Sequence, residues 1–173
     1  MLCKARGRGC MSEEARLIKR AIAGSLEAFE QLIQQYEKRI YNYCFRMTNN
    51  QEDAEDLTQE IFIKVYKSLH SFKGNSQFST WIYRIAYNTC VDKYRKQKIK
   101  MISLTSNDED EKDIDLPSNE PLPEDQIVNK EQYQLLCECI SMLKPEYKTA
   151  IILRDIQNYT YEEIASILNI PLG

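Results

Sequence analysis

The stretch NNQEDAEDLTQEIFIKVYKSL, residues 49–69, decides the fold class. Ala54, Leu57, Ile61, Val65 and Leu69 recur at helical spacing, so they share one face of an α-helix, widened by Phe62 and Tyr66. Asn50, with Asp53 three residues on, has the form of a capped helix start. Glu52, Asp53, Asp56, Gln59 and Glu60 gather away from the apolar stripe, with Glu55 alongside. Acidic residues near a helix N-terminus favour the helix dipole, so spacing alone allows a plain solvated face. Ile63 lies among these polar residues and would serve as an apolar anchor at an interface. It favours a docking surface for a basic partner helix.

Working outward, the helical pattern continues on both sides. Upstream, Leu17, Ile18, Ala21 and Ile22 form a short stripe. After Gly24-Ser25, apolar residues recur from Phe29 through Leu32, Ile33, Tyr36, Ile40, Tyr43 and Cys44 to Met47, which predicts one long amphipathic helix. The opening MLCKARGRGC is basic with no apolar period, so 1–11 is read as a disordered leader, with Met11 as the plausible natural start. Downstream, Gly74-Asn75-Ser76 is turn chemistry, and Ser79 or Thr80 is expected to cap a helix over WIYRIAYNTCVDKYRKQ. Residues 98–125 read as an acidic flexible linker, since DEDEKDIDLPSNEPLPED holds nine acidic residues and one lysine. Helices follow at about 126–142, 145–156 and 161–168. Pro145 stands at a first helical position, and Thr160 with Glu163 makes a capping box. No stretch sustains a strand period. The expected fold is all-α, with two small helical domains at 12–97 and 126–173.

Composition narrows the function classes. Hydrophobic residues are 43% and charged residues 28% of the chain, the balance of a globular protein. No apolar run approaches the roughly 20 residues that span a bilayer, and no secretory segment is visible. The expectation is a cytoplasmic protein without membrane insertion. The net charge of −3 hides an asymmetry, because the acidic linker joins parts that are together basic. That is compatible with nucleic-acid binding. The six cysteines include no CxxC pair, Cys137 and Cys139 face different sides of a helix, and His70 is the single histidine. Cys44 and Cys90 fall at apolar helical positions. Reduced thiols are therefore expected, with no metal and no cofactor. There is no glycine-rich phosphate loop and no nucleophile elbow, so the chain is not read as an enzyme.

Two further stretches point to nucleic acid. Residues 71–100 mix Phe72, Phe78, Trp81, Tyr83, Tyr87 and Tyr94 with Lys73, Arg84, Lys93, Arg95, Lys96, Lys98 and Lys100. Aromatic faces stack on unpaired bases and basic groups neutralise phosphates, the ingredients of single-strand binding. Trp81, Ile82, Ile85 and some tyrosines also suit a core. Near the other end, LKPEYKTAIILRDIQNYTYEEIASILNIP gives helix, turn, capped short helix and turn, the first part of a helix-turn-helix.

These features in this order resemble the extracytoplasmic-function sigma factors of bacterial RNA polymerase. DAEDLTQEIFIKVYKSLHSFKGNSQFSTWIYRIAYNTCVDKYRK is similar to the family's region two, and LKPEYKTAIILRDIQNYTYEEIASILNIPLG to the start of region four. The resemblance implies that Asp53, Asp56, Gln59, Glu60 and Ile63 dock on the clamp helices of the largest subunit of core RNA polymerase. It implies that Phe72, Lys73 and Asn75 lie in the loop around a flipped base of the −10 promoter element. Asn88, with Arg84, Lys93, Arg95 and Lys96, would face the melted strand and upstream phosphates. Extruding a base needs such a pocket, with polar side chains to read its edges. Promoter DNA and an anti-sigma factor are the other implied partners. In the family, IPLG leads into the helix that reads the −35 element, so residues 126–173 are expected to hold an incomplete helix-turn-helix, and no −35 contact is assigned. The alternative is a truncated sigma-like interaction protein that occupies polymerase or an anti-sigma factor without productive initiation.

Overall fold

The computed structural model describes residues 12–105 and 130–172, so the 1–11 leader, most of the acidic linker and the expected helix onset at 126–129 lie outside the described residues. All the regular structure described is helical. The first block holds α1 (Glu13–Ile22), α2 (Leu26–Gln34), α3 (Glu37–Thr48), α4 (Gln51–Ser68), a 3-10 turn at Leu69–Ser71 and α5 (Phe78–Thr105). The second holds α6 (Lys130–Ser141), α7 (Pro145–Ile151) running into a π turn at Ile152–Ile156, and α8 (Tyr161–Leu168).

The helix starts follow side-chain chemistry. Ser12, Ser25 and Asn50 each accept a backbone N–H three residues on, from Ala15, Ala28 and Asp53. Thr160 and Glu163 form the expected reciprocal capping box. Pro145 opens α7, where its missing N–H costs nothing. Asn49 and Asn169 end α3 and α8 in the left-handed conformation, which asparagine tolerates.

Three expected boundaries are corrected. The single helix expected from Phe29 to Met47 is two helices. At Tyr36 the N–H bonds the Ile33 carbonyl at 2.8 Å, a tighter turn than an α-helix makes. The buried Tyr36 ring then sends its hydroxyl to Glu14 of α1. Neither Ser79 nor Thr80 caps α5, which begins at Phe78 with the Gln77 carbonyl accepting from Trp81 N–H at 3.2 Å. Finally, α5 continues to Thr105, past the boundary at 97.

One contiguous apolar core runs through both blocks. Leu32, Ile40, Leu57, Ile61 and Ile82 fill its centre in the first block, and Ile152, Leu153 and Ile167 join it from the second. Tyr83 stands between, edge-on to Tyr43 at 5.6 Å and to Tyr159 at 5.2 Å. Polar contacts fix the docking. Tyr43 and Thr149 hydroxyls share a 3.0 Å hydrogen bond, and Lys148 Nζ donates to the Met47 carbonyl at the end of α3. That lysine meets the negative end of a helix dipole.

Candidate nucleic-acid interface

On α4, burial separates two faces. Ala54, Leu57, Ile61 and Val65 are buried, while Glu52, Glu55, Asp56, Gln59 and Glu60 are exposed. Ile63 is 53% exposed within this polar face, so its apolar side chain costs the free chain contact with water. Tyr66, expected to widen the buried stripe, is also 53% exposed and only rests edge-on against Phe29. Asp53 stands apart from the other carboxylates, being ion-paired to Lys93 of α5. Glu60 pairs with Lys64 at 2.8 Å along the same helix.

The segment joining α4 to α5 presents Lys73 and Asn75 to solvent. Gly74 sits at φ +72°, and none of the described residues lies within 4 Å of where a Cβ would be, so conformation calls for glycine there. Phe72 is half-buried. Its ring packs against Phe78 at 5.4 Å and Trp81 at 5.3 Å, and this aromatic cluster anchors the base of the loop. Trp81 is thus largely structural.

Beside the loop lies an open groove of about 430 Å³ between the end of α4, the 3-10 turn and α5. Lys64, Lys67 and His70 line one side and Ile85, Asn88 and Thr89 the other. Lys64 Nζ donates to Thr89 Oγ1 at 3.1 Å across it, and Thr89 in turn donates to the Ile85 carbonyl at 2.8 Å. A basic rim with an exposed amide at its wall suits a phosphate beside a base edge. Sequence reading placed Asn88 here but missed Lys64, Lys67 and Thr89, which meet it only when α4 and α5 pack.

The expected basic set on α5 does not form one surface. Arg84 faces α8, where Nε and Nη2 donate to the Ser166 carbonyl at 3.1 and 2.7 Å and Nη2 donates to Ser166 Oγ at 2.9 Å. Lys93 faces α4. Asn88, Arg95 and Lys96 are exposed. Among the described residues no group of three or more His, Cys, Asp or Glu side chains is placed to hold a metal ion. Nor does any helix there have the length and apolarity to cross a membrane.

Residues 32–99 match Sigma-70 region 2 and residues 133–173 match Sigma-70 region 4. The chain is 36% identical to the ECF RNA polymerase sigma factor SigW of Bacillus subtilis, over 90% of this chain and 85% of that protein. It is 32% identical to the ECF RNA polymerase sigma-E factor of Haemophilus influenzae, over 91% and 84%. Two solved structures share the fold. One is the sigma factor RpoE with the anti-sigma factor NepR from Bartonella quintana, with TM-score 0.63 and 20% identity over 84% of this chain and 86% of that one. The other is CnrH with the cytosolic domain of CnrY, with TM-score 0.62 and 18% identity over 90% and 82%. The chain belongs to the ECF family of RNA polymerase sigma factors, non-enzymatic proteins that direct transcription initiation.

Proposed function

We propose that the outer face of α4 binds core RNA polymerase through the clamp helices of its largest subunit, with Asp56, Gln59, Glu60 and Ile63 in contact and Asp53 at the edge. Phe72, Lys73 and Asn75, together with Asn88, Arg95 and Lys96, hold the melted −10 element. Lys64, Lys67 and His70 add phosphate contacts along the groove. Arg84 reaches DNA when α8 leaves it, and Lys93 when Asp53 is drawn to polymerase. Residues 12–97, with α5 running on to Thr105, act as the region-two unit and 126–173 as the region-four unit, with the acidic segment beyond Thr105 as the link between them. An anti-sigma factor is a further partner, as it is for the two solved structures of similar fold. The protein works in the cytoplasm.

The observation that carries this reading is the exposure of Ile63 among carboxylates on α4, while the end of the same helix lines the groove at Asn88. One rigid helix would then carry polymerase contact and DNA contact at a fixed spacing. Electrophoretic shifts with and without core polymerase test it. Promoter DNA should be shifted by the chain together with polymerase and not by the chain alone. A comparable shift by the chain alone would favour a free-standing duplex binder instead.

A further inference from the structure

Glu60 and Lys64 stand one turn apart on α4 but belong to different surfaces. Glu60 lies on the outer acidic face, whereas Lys64 lines the groove that also holds Asn88. The Lys64 ammonium joins the two. It pairs with Glu60 Oε1 at 2.8 Å and donates to Thr89 Oγ1 of α5 at 3.1 Å. Thr89 is only 2% exposed, and its hydroxyl proton goes to the Ile85 carbonyl at 2.8 Å. Its oxygen is thereby held in place as an acceptor for the lysine. A line of side chains, Glu60 to Lys64 to Thr89, thus runs from the acidic face to the groove wall.

That line puts opposite demands on one charge. A phosphate in the groove calls for the whole ammonium charge, and Glu60 neutralises it from the other side. The Lys64 and Glu60 side chains keep 40% and 52% of their surface in water, so their pairing is weak and open to competition. A basic group arriving on the outer face of α4 can take Glu60 without any movement of the helix. Lys64 then keeps its bond to Thr89, which holds it at the groove. Its charge and its remaining N–H protons are left for a phosphate oxygen.

We propose, on the assignment of the outer α4 face to polymerase and of the groove to DNA, that Glu60 is a positioning residue for the groove. In the free chain its pairing restrains Lys64. A basic group of polymerase set against Glu60 releases that lysine to phosphate. The phosphate affinity of the groove is tied in this way to occupancy of the polymerase face, through one side chain and with no rearrangement of the fold.

A labelled oligothymidylate single strand tests this on the full chain without polymerase, since phosphate contacts do not depend on sequence. Glu60→Gln stands in for a carboxylate whose charge a partner has neutralised. Fluorescence anisotropy at low salt should show the strand bound about three-fold more tightly by Glu60→Gln than by the unmodified chain, the size of an exposed ion pair. The slope of log affinity against log salt should steepen by about 0.7, the mark of one added single-strand phosphate contact. In a Lys64→Gln background the same Glu60→Gln change should give neither effect. Equal gains in both backgrounds would overturn the proposal, because Glu60 would then act by repulsion of the strand and not through Lys64. No gain from Glu60→Gln in the unmodified background would overturn it as well. Either result leaves the groove assignment standing as long as the strand binds. Failure of all four chains to bind the strand would contradict that assignment and overturn the proposal with it.

Discussion

Arg84 of α5 grips Ser166 of α8 with three hydrogen bonds, two of them to the backbone carbonyl, across 82 residues of sequence. A guanidinium fork on one carbonyl is charge-assisted and directional, and a lysine cannot reproduce it. Arg84→Ala is therefore expected to destabilise the chain by about 2 kcal/mol, with Arg84→Lys in between. Chemical denaturation measures this, and an unchanged midpoint in the alanine variant would mean that the contact does not hold α8 in solution.

The Tyr83 hydroxyl is buried and has no hydrogen-bond partner among the described residues, while the Tyr43 hydroxyl is buried and bonded to Thr149. An unpaired buried polar group costs about 1–3 kcal/mol, so Tyr83→Phe should stabilise the fold by about 1 kcal/mol. Tyr43→Phe should destabilise it by a similar amount, because Thr149 then keeps only its weak 3.6 Å donation to Met47 Sδ. Matched denaturation curves decide it, and equal losses in both variants would contradict the difference in environment.

Burial is the first cause that raises the Tyr36, Tyr43, Tyr83 and Tyr159 phenols above their ordinary value near 10. Above that pH the unfolded chain loses these protons and the folded chain keeps them. The unfolded state then binds fewer protons, so stability falls as pH rises. Lys148 is shifted down by burial and works in the opposite direction, but it is one lysine against five tyrosines, since burial raises the Tyr87 phenol as well. Unfolding should begin in the alkaline range, with tyrosinate absorbance and loss of helix rising together. Full ionisation of all the tyrosines with helix content intact would show that the burial is not real.

Sequence periodicity located α4 and the capped α8 because their signals are local: apolar spacing in one, a four-residue capping box in the other. The division between α2 and α3 stayed hidden because Tyr36 keeps the apolar phase across the break. What sets the break there is a hydroxyl reaching Glu14, 22 residues away. The expected α5 stops where the apolar pattern fades, although Lys, Ile, Met and Leu are adequate helix formers and carry it on to Thr105. At the site, Asp53 and Lys93 were assigned to separate surfaces, and their pairing depends on how two helices cross. The same holds for Lys64 and Thr89, and for Arg84, whose partner lies in the other block.

The most direct test of the account separates polymerase binding from promoter opening on one molecule. Duplex DNA selected by polymerase with the full chain supplies a promoter, and permanganate footprinting reports its opened thymines. Asp56→Lys, an exposed change expected to alter stability by only about 0.5 kcal/mol, should lose polymerase in a pull-down and lose opening with it. Asn88→Ala should keep polymerase and reduce opening roughly ten-fold, in line with a contact worth about 1–3 kcal/mol. Undiminished polymerase binding by Asp56→Lys, or normal thymine reactivity with Asn88→Ala, would contradict the assignment of these two faces.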